Sequence, residues 1–305
     1  MTKVNVKFDI AGVERETGIG KDALRVWEKR YGFPVPERDE REERLYPEDQ
    51  VERLRLIKRL LDSGMRPVKV VGLTTPELNA LLNQSPHDAQ QLPNEDLLAY
   101  IALIKGHQAP ELRVALSRAL LQQGLEEFLS KTITPLNQLV GEAWMRGEMR
   151  VFEEHLYSEQ IKHVLHDAIA MIRKAGDTPR VLLTTLPGEE HALGLLMAEA
   201  TLSLCGASCI MLGVQTPIQE IVLAAKAHQV DIVVVSFSAA IPAMQVKSGL
   251  QLARTALPGK IAFWAGGAGV MRQRSSPEGV QLMGPLSDLT SAVIAWRDTQ
   301  RSAAR

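Results

Sequence analysis

The stretch RVLLTTLPGEEHALGLLMAEATLSL, residues 180–204, decides the architecture of the C-terminal part of the chain. The run from Arg180 to Leu186 is short, apolar and closed by Pro187-Gly188, as a buried strand would be. The loop Pro187-Gly188-Glu189-Glu190-His191 follows, and a helix is expected from about Ala192, with Gly194 in its first turn. The pattern then repeats. ASCIMLG (207–213), DIVVVSFS (231–238) and KIAFWAGG (260–267) read as further strands, and PIQEIVLAAKAHQ (217–229) as a helix between two of them. Strands alternating with helices at this spacing predict βαβ units, hence an α/β doubly wound, flavodoxin-like parallel sheet covered on both faces. In such sheets ligands gather at the carboxyl ends of strands. His191 is therefore expected to be exposed where a ligand approaches, although a lone loop histidine is more often structural.

Working outward, residues 97–176 are Leu-rich with helical periodicity, and the polar, Pro-punctuated segment PELNALLNQSPHDAQQLPNED (76–96) before them reads as a linker. Residues 1–75 are dense in Arg and Glu and carry Trp27, Tyr31 and Tyr46. The expected division is thus 1–75, 76–96, 97–176 and 177–305. Composition is that of an ordinary globular chain, 45% hydrophobic and 23% charged over 305 residues. With 35 Lys plus Arg against 36 Asp plus Glu, overall charge points to neither nucleic acid nor membrane. Two cysteines, Cys205 and Cys209, are too few for a disulfide scaffold and read as small buried thiols. The opening MTKVNVKFDI lacks an apolar signal core, and the most apolar window, Ile232 to Met244, is too short to span a bilayer. The expectation is a soluble cytoplasmic protein without membrane partners.

Near the N-terminus, FDIAGVERETGIGKDALRVWEKRYG (8–32) predicts two short helices around a tight turn at Thr17-Gly18-Ile19-Gly20, with Ile10, Val13, Leu24 and Trp27 in a small core. The second helix then shows Lys21, Arg25 and Lys29 along one face. Such a stripe suits a major groove, but a solvated helix face looks the same.

The continuation VWEKRYGFPVPERDEREERLYPEDQVERLRLIKRLLDSGM (26–65) resolves that ambiguity, because it resembles the winged-helix DNA-binding domain of MerR-family regulators. The resemblance covers residues 6–75 and rests on Leu24-Arg25, Trp27-Glu28, Arg30-Tyr31, Pro36, Arg38, Arg44 with Tyr46, and Gly64 after the next helix. It implies DNA contacts from Lys21, Arg25, Arg30, Tyr31, Arg38, Arg44 and Tyr46, the wing carrying Arg38 and Arg44 to the backbone and Tyr46 donating its hydroxyl there. One such module makes few contacts, so an oligomer on paired half-sites of double-stranded DNA is expected.

The pattern Glu189-x-His191-x-x-Gly194, then Ser236-Phe237-Ser238, then Gly266-Gly267, resembles the cobalamin-binding domain. That resemblance implies His191 as lower ligand to cobalt, Glu189 on its other nitrogen, and Gly194, Ser236, Ser238, Gly266 and Gly267 around the cofactor's nucleotide tail. Here the acid is Glu189 rather than the commoner Asp. The Trp144-x9-Glu154-His155 spacing in GEAWMRGEMRVFEEHLYSEQ (141–160) resembles the four-helix-bundle cap of CarH/LitR-type light-dependent repressors. Trp144, Val151, Glu154 and His155 would then cover adenosylcobalamin from above. This order of domains implies a repressor whose adenosylcobalamin-loaded oligomer holds its operator in darkness and releases it on photolysis. One position departs. Met145 stands where the best-known members have a histidine that takes the cobalt after photolysis, and a thioether is a weak ligand for oxidised cobalt. A stable second imidazole through this position is therefore not expected, though His155 or another histidine remains available. A light-independent sensor of cobalamin or another small ligand stays open as the alternative. A corrinoid-dependent enzyme is disfavoured, since no barrel-sized catalytic domain is present.

Overall fold

A computed structural model describes residues 7–38, 42–62, 65–83, 95–145, 147–172, 178–239, 241–273 and 275–303. Gly64 lies outside them. The chain divides into two units, residues 1–105 with 136–154, and residues 106–135 with 155–305.

The first unit begins with β1 (Lys7–Asp9) and two helices, α1 (Ile10–Thr17) and α2 (Lys21–Tyr31). Asp9 caps α1 by accepting from the Gly12 N–H at 2.7 Å, and Gly18, at φ 66°, ends it in the left-handed region that glycine enters without strain. Thr17 closes the turn by donating to the Val13 carbonyl at 2.7 Å while accepting from Ile19 N–H at 3.2 Å. The wing is β2 (Glu37–Arg38) against β3 (Arg44–Pro47), and β3 also pairs with β1, giving an antiparallel sheet of order β1-β3-β2. Helix α3 (Glu48–Asp62) follows, and Val13, Ile19, Leu24, Trp27, Tyr46, Leu54 and Ile57 form the common core. Trp27 is core, as sequence suggested. After α4 (Pro67–Val70), the segment read as linker begins as a helix, α5 (Thr75–Asn83). Glu77 reaches back over its first turn, accepting from both the Thr74 N–H and the Thr74 hydroxyl at 2.7 Å, and Leu78 is fully buried in the core of the first unit. Residues 84–94 of that segment lie outside the described part.

The helical region then runs through α6 (Glu95–Lys105), α7 (Ala109–Gln123), the single turn α8 (Leu125–Glu127), a π-helical stretch (Phe128–Ile133), α9 (Thr134–Met145) and α10 (Val151–Met171). The region expected as one body is shared between the two units: α6 and most of α9 belong with the head, and α7 and most of α10 with the sheet.

In the second unit, β4 (Arg180–Thr184), β5 (Ser208–Gly213), β6 (Ile232–Ser236), β7 (Ala262–Gly266) and β8 (Gln281–Leu282) form a parallel sheet of order β5-β4-β6-β7-β8. The first four strands match the sequence reading, while β8 is too short for period-2 patterning to reveal. Alternate residues face opposite sides. Val181, Leu183, Ile232, Val234 and Trp264 pack with α11 (Leu193–Leu204) and α14 (Ser287–Ala303). Leu182, Val233, Val235 and Phe263 pack with α12 (Ile218–Ala227) and α13 (Ala243–Ala256). Because β5 lies on one side of β4 and β6 on the other, the chain reverses its winding there, opening a crevice beyond the ends of β4 and β6.

Candidate functional site

The crevice is built from the loops after β4 and β6. Glu189 is 1% exposed although it carries a carboxylate, so its position must be fully compensated by donors. Its Oε1 accepts from the His191 backbone N–H at 2.9 Å and pairs with His191 Nδ1 at 2.6 Å. Its Oε2 accepts from the Ser238 N–H at 2.6 Å, tying the loop after β4 to the loop after β6. Burial pushes the Glu189 pKa up, but the hydrogen bonds from His191 and Ser238 outweigh it and hold the carboxyl below its ordinary value. An ionised Glu189 makes Nδ1 the protonated nitrogen of His191. The ring is 61% exposed, so Nε2 is the nitrogen offered to a metal. Thr185 supports the loop from below, donating to the Glu189 carbonyl at 2.6 Å and accepting from Gln215 N–H at 2.8 Å.

Beside this dyad runs a groove lined by Gly194, Ala198, Ser236, Gly266, Gly267 and Gly284 among others. At two positions its walls leave no room for a side chain. A Cβ at Gly194 would lie 2.6 Å from Ser236 Oγ, and one at Gly267, where φ is +93°, would lie 2.4 Å from the Phe237 carbonyl oxygen. The residues present therefore fit a cobalt corrinoid: one imidazole backed by a carboxylate, beside a slot lined with glycines. Among the described residues no cluster of three or more His, Cys, Asp or Glu could hold a metal ion without such a carrier. Cys205 and Cys209 are half-buried thiols outside any disulfide.

Of the predicted cap residues, Trp144, Val151 and Glu154 fall in the first unit and His155 in the second. Trp144, Val151 and Glu154 are half-buried and His155 is exposed. Val151, Glu154 and His155 share a face of α10, whose first turn is capped by Glu153 accepting from the Arg150 N–H at 2.6 Å. The side chain of Met145 lies outside the described part.

On the head, Arg25 and Lys29 line the exposed face of α2, with Val26 between them at 53% exposure, an apolar position the charge pattern did not single out. Lys21 is half-buried and pairs with Glu14 at 3.5 Å, Arg25 with Asp22 at 3.3 Å and Arg38 with Glu42 at 2.9 Å; Arg30 sits 5.4 Å from the Tyr31 ring centroid. Surface pairs of this kind contribute about 0–1 kcal/mol and give way readily to phosphate. Tyr46 corrects an expectation. It is fully buried, and its hydroxyl donates to Glu28 Oε1 at 2.5 Å, because β3 turns it inward between the wing and α2. It has no surface to offer a phosphate. Burial and Glu28 together hold the phenol well above its ordinary pKa. The second oxygen of Glu28 accepts from Arg44 Nε at 3.2 Å, so Tyr46 and Arg44 share one carboxylate.

Known proteins match the chain in both regions. Residues 8–74 match the MerR HTH family of regulatory proteins, and residues 99–166 and 179–285 match two B12-binding domain families. The chain is 28% identical to the HTH-type transcriptional repressor CarH of Myxococcus xanthus over 87% of its own length and 88% of that protein. It is 29% identical to the repressor CarA of the same organism over 75% of each chain. Among solved structures, the Methanosarcina barkeri monomethylamine corrinoid protein superposes with a TM-score of 0.52 at 14% identity, covering 65% of this chain and 96% of that one. That likeness concerns the fold. The named sequence relatives are regulators, not enzymes, and no described helix is long and apolar enough to cross a membrane.

Proposed function

We propose that this chain is a cobalamin-binding transcriptional regulator of the MerR type, a repressor whose grip on its operator is set by adenosylcobalamin and released by light. The observation that carries this is the buried Glu189 holding the exposed His191 ring at the crevice between the ends of β4 and β6. His191 Nε2 would hold the cobalt, and the ionised Glu189 would fix the ring's tautomer and raise its basicity. Gly194, Ser236, Gly266 and Gly267 line the slot for the nucleotide tail, and Ser238 holds Glu189 through its backbone. By resemblance to the CarH/LitR-type cap, Trp144, Val151, Glu154 and His155 would contact the cofactor's adenosyl group. When bound, adenosylcobalamin supplies a cobalt–carbon bond that light cleaves. The cap residues then lose the adenosyl group they contact, and the differential affinity that favoured the assembled state goes with it. Assembly brings several heads onto paired half-sites of double-stranded DNA. There Lys21, Arg25, Arg30, Tyr31, Arg38 and Arg44 meet the duplex, and Tyr46 acts through the Glu28 carboxylate that it shares with Arg44.

Reconstitution in the dark followed by desalting tests this. The protein should retain colour, show a histidine-ligated, base-off spectrum that changes under green light, and shift its own upstream DNA in darkness but not after illumination. Colourless protein would refute it, as would an unchanged spectrum in His191→Ala. Met145 favours a second reading, a cobalamin sensor indifferent to light. That reading predicts the same dark spectrum with DNA binding that illumination leaves intact.

A further inference from the structure

Helix α3 carries Glu48, Glu52 and Arg55 on one face, spaced a turn apart, and within the first unit this face meets the end of α9 and the segment that joins it to α10. Arg150 forms an ion pair with Glu48. Gly147, at φ 70°, neighbours Glu52: a Cβ there would stand at ordinary contact distance, 3.5 Å, from Glu52 Cγ. The Arg55 guanidinium lies 5.3 Å from the centroid of the Trp144 ring. Arg55 is unusual for a head residue. Its side chain is 8% exposed, it pairs with Glu16 of α1 at 2.5 Å, and its Nε is buried without a hydrogen-bond partner. A cation so desolvated gains more from an aromatic face than a hydrated one does.

We propose that Arg55 is a positioning residue for Trp144. The DNA-binding head, through α3, sets the place of the indole and thereby takes part in discriminating the upper substituent of the cofactor. This rests on the reading that Trp144 covers that substituent. Glu48 holds the segment through Arg150, and Arg55 aligns the ring. By linkage, whatever the head contributes to ligand discrimination, the ligand returns as a bias on the head.

Dark titrations of the full chain with adenosylcobalamin and with hydroxocobalamin separate this from a merely structural role. Both ligands use His191, but only the first presents a large group to Trp144. Arg55→Met should lower the ratio of the two affinities by about threefold to thirtyfold, with hydroxocobalamin binding unchanged. Arg55→Lys should restore most of the ratio, and Glu16→Gln should soften the head while leaving the ratio intact. Should Arg55→Met not fold with Glu16 left uncompensated, the double variant Glu16→Gln/Arg55→Met carries the same test. Equal weakening of both ligands, or an unchanged ratio in a protein whose wild type discriminates, overturns the positioning role alone. A wild type that binds both forms equally well takes the cap reading down with it.

Discussion

Replacing Glu189 by Gln changes one oxygen to an amide and leaves shape nearly constant, so its effect isolates the charge and the acceptor count. The carboxylate receives three donors, two from His191 on Oε1 and one from Ser238 on Oε2. A glutamine has a single acceptor oxygen. If that oxygen stays with His191, the amide NH2 faces the Ser238 N–H donor to donor; if it turns, both His191 donors are abandoned. Either arrangement leaves a donor buried without a partner, a loss of about 1–3 kcal/mol. The imidazole also loses the negative charge that raises its basicity, and partners of this type alter metal affinity by about 10- to 100-fold. We expect Glu189→Gln to weaken cobalamin binding within that range, read by absorbance titration, and to lower the unfolding midpoint of the second unit in urea. The folded Glu189 pKa lies below its unfolded value, so the stability it provides is complete above the ordinary carboxylate range. As pH falls below that range and through the folded value, it is lost. Wild type should therefore soften progressively in acid, and the variant, which has no proton to bind there, should show a shallower acid limb. Binding within twofold of wild type, with identical acid limbs, would refute the reasoning.

Three other outcomes follow from the geometry. Arg44→Ala should weaken binding to all duplexes alike and reduce the salt slope of log K by about 1, whereas Tyr46→Phe should change it less, acting only by freeing Glu28; equal effects in gel shifts at several salt concentrations would contradict the buried role of Tyr46. Gly267→Ala places a Cβ 2.4 Å from the Phe237 carbonyl at φ +93° and should destabilise the sheet unit by about 1–3 kcal/mol, measured by thermal melting; an unaltered melt would count against the tight slot. Leu78→Ala should cost the head about 2–5 kcal/mol in denaturant titrations, because Leu78 is completely buried there, whereas a true linker residue would show nothing.

How much of this was legible depended on the range of the interactions. The four longer strands and the Glu189–His191 loop are local patterns, and they appeared where expected. The short strand β8 has two residues and no period to read. Helix α5 was readable in principle, since Thr74-Thr75-Pro76-Glu77 has the sequence of a capping box followed by Leu78 and Leu81, but the prolines and polar residues downstream masked it. Tyr46 was misplaced because a strand residue next to a cationic wing gives no sign of which face it occupies until the partner, Glu28, is in position. The link from Glu189 to Ser238 and the contact of Arg55 with Trp144 join residues far apart in the chain, and only tertiary packing brings them together.

Glu28 shows what such packing does for recognition. Its carboxylate spans the groove-reading helix and the wing, so the two travel as a single jaw. On the proposed reading, a phosphate at Arg44 would have to compete with this carboxylate, so the tie that steadies the wing would also temper its appetite for any passing backbone.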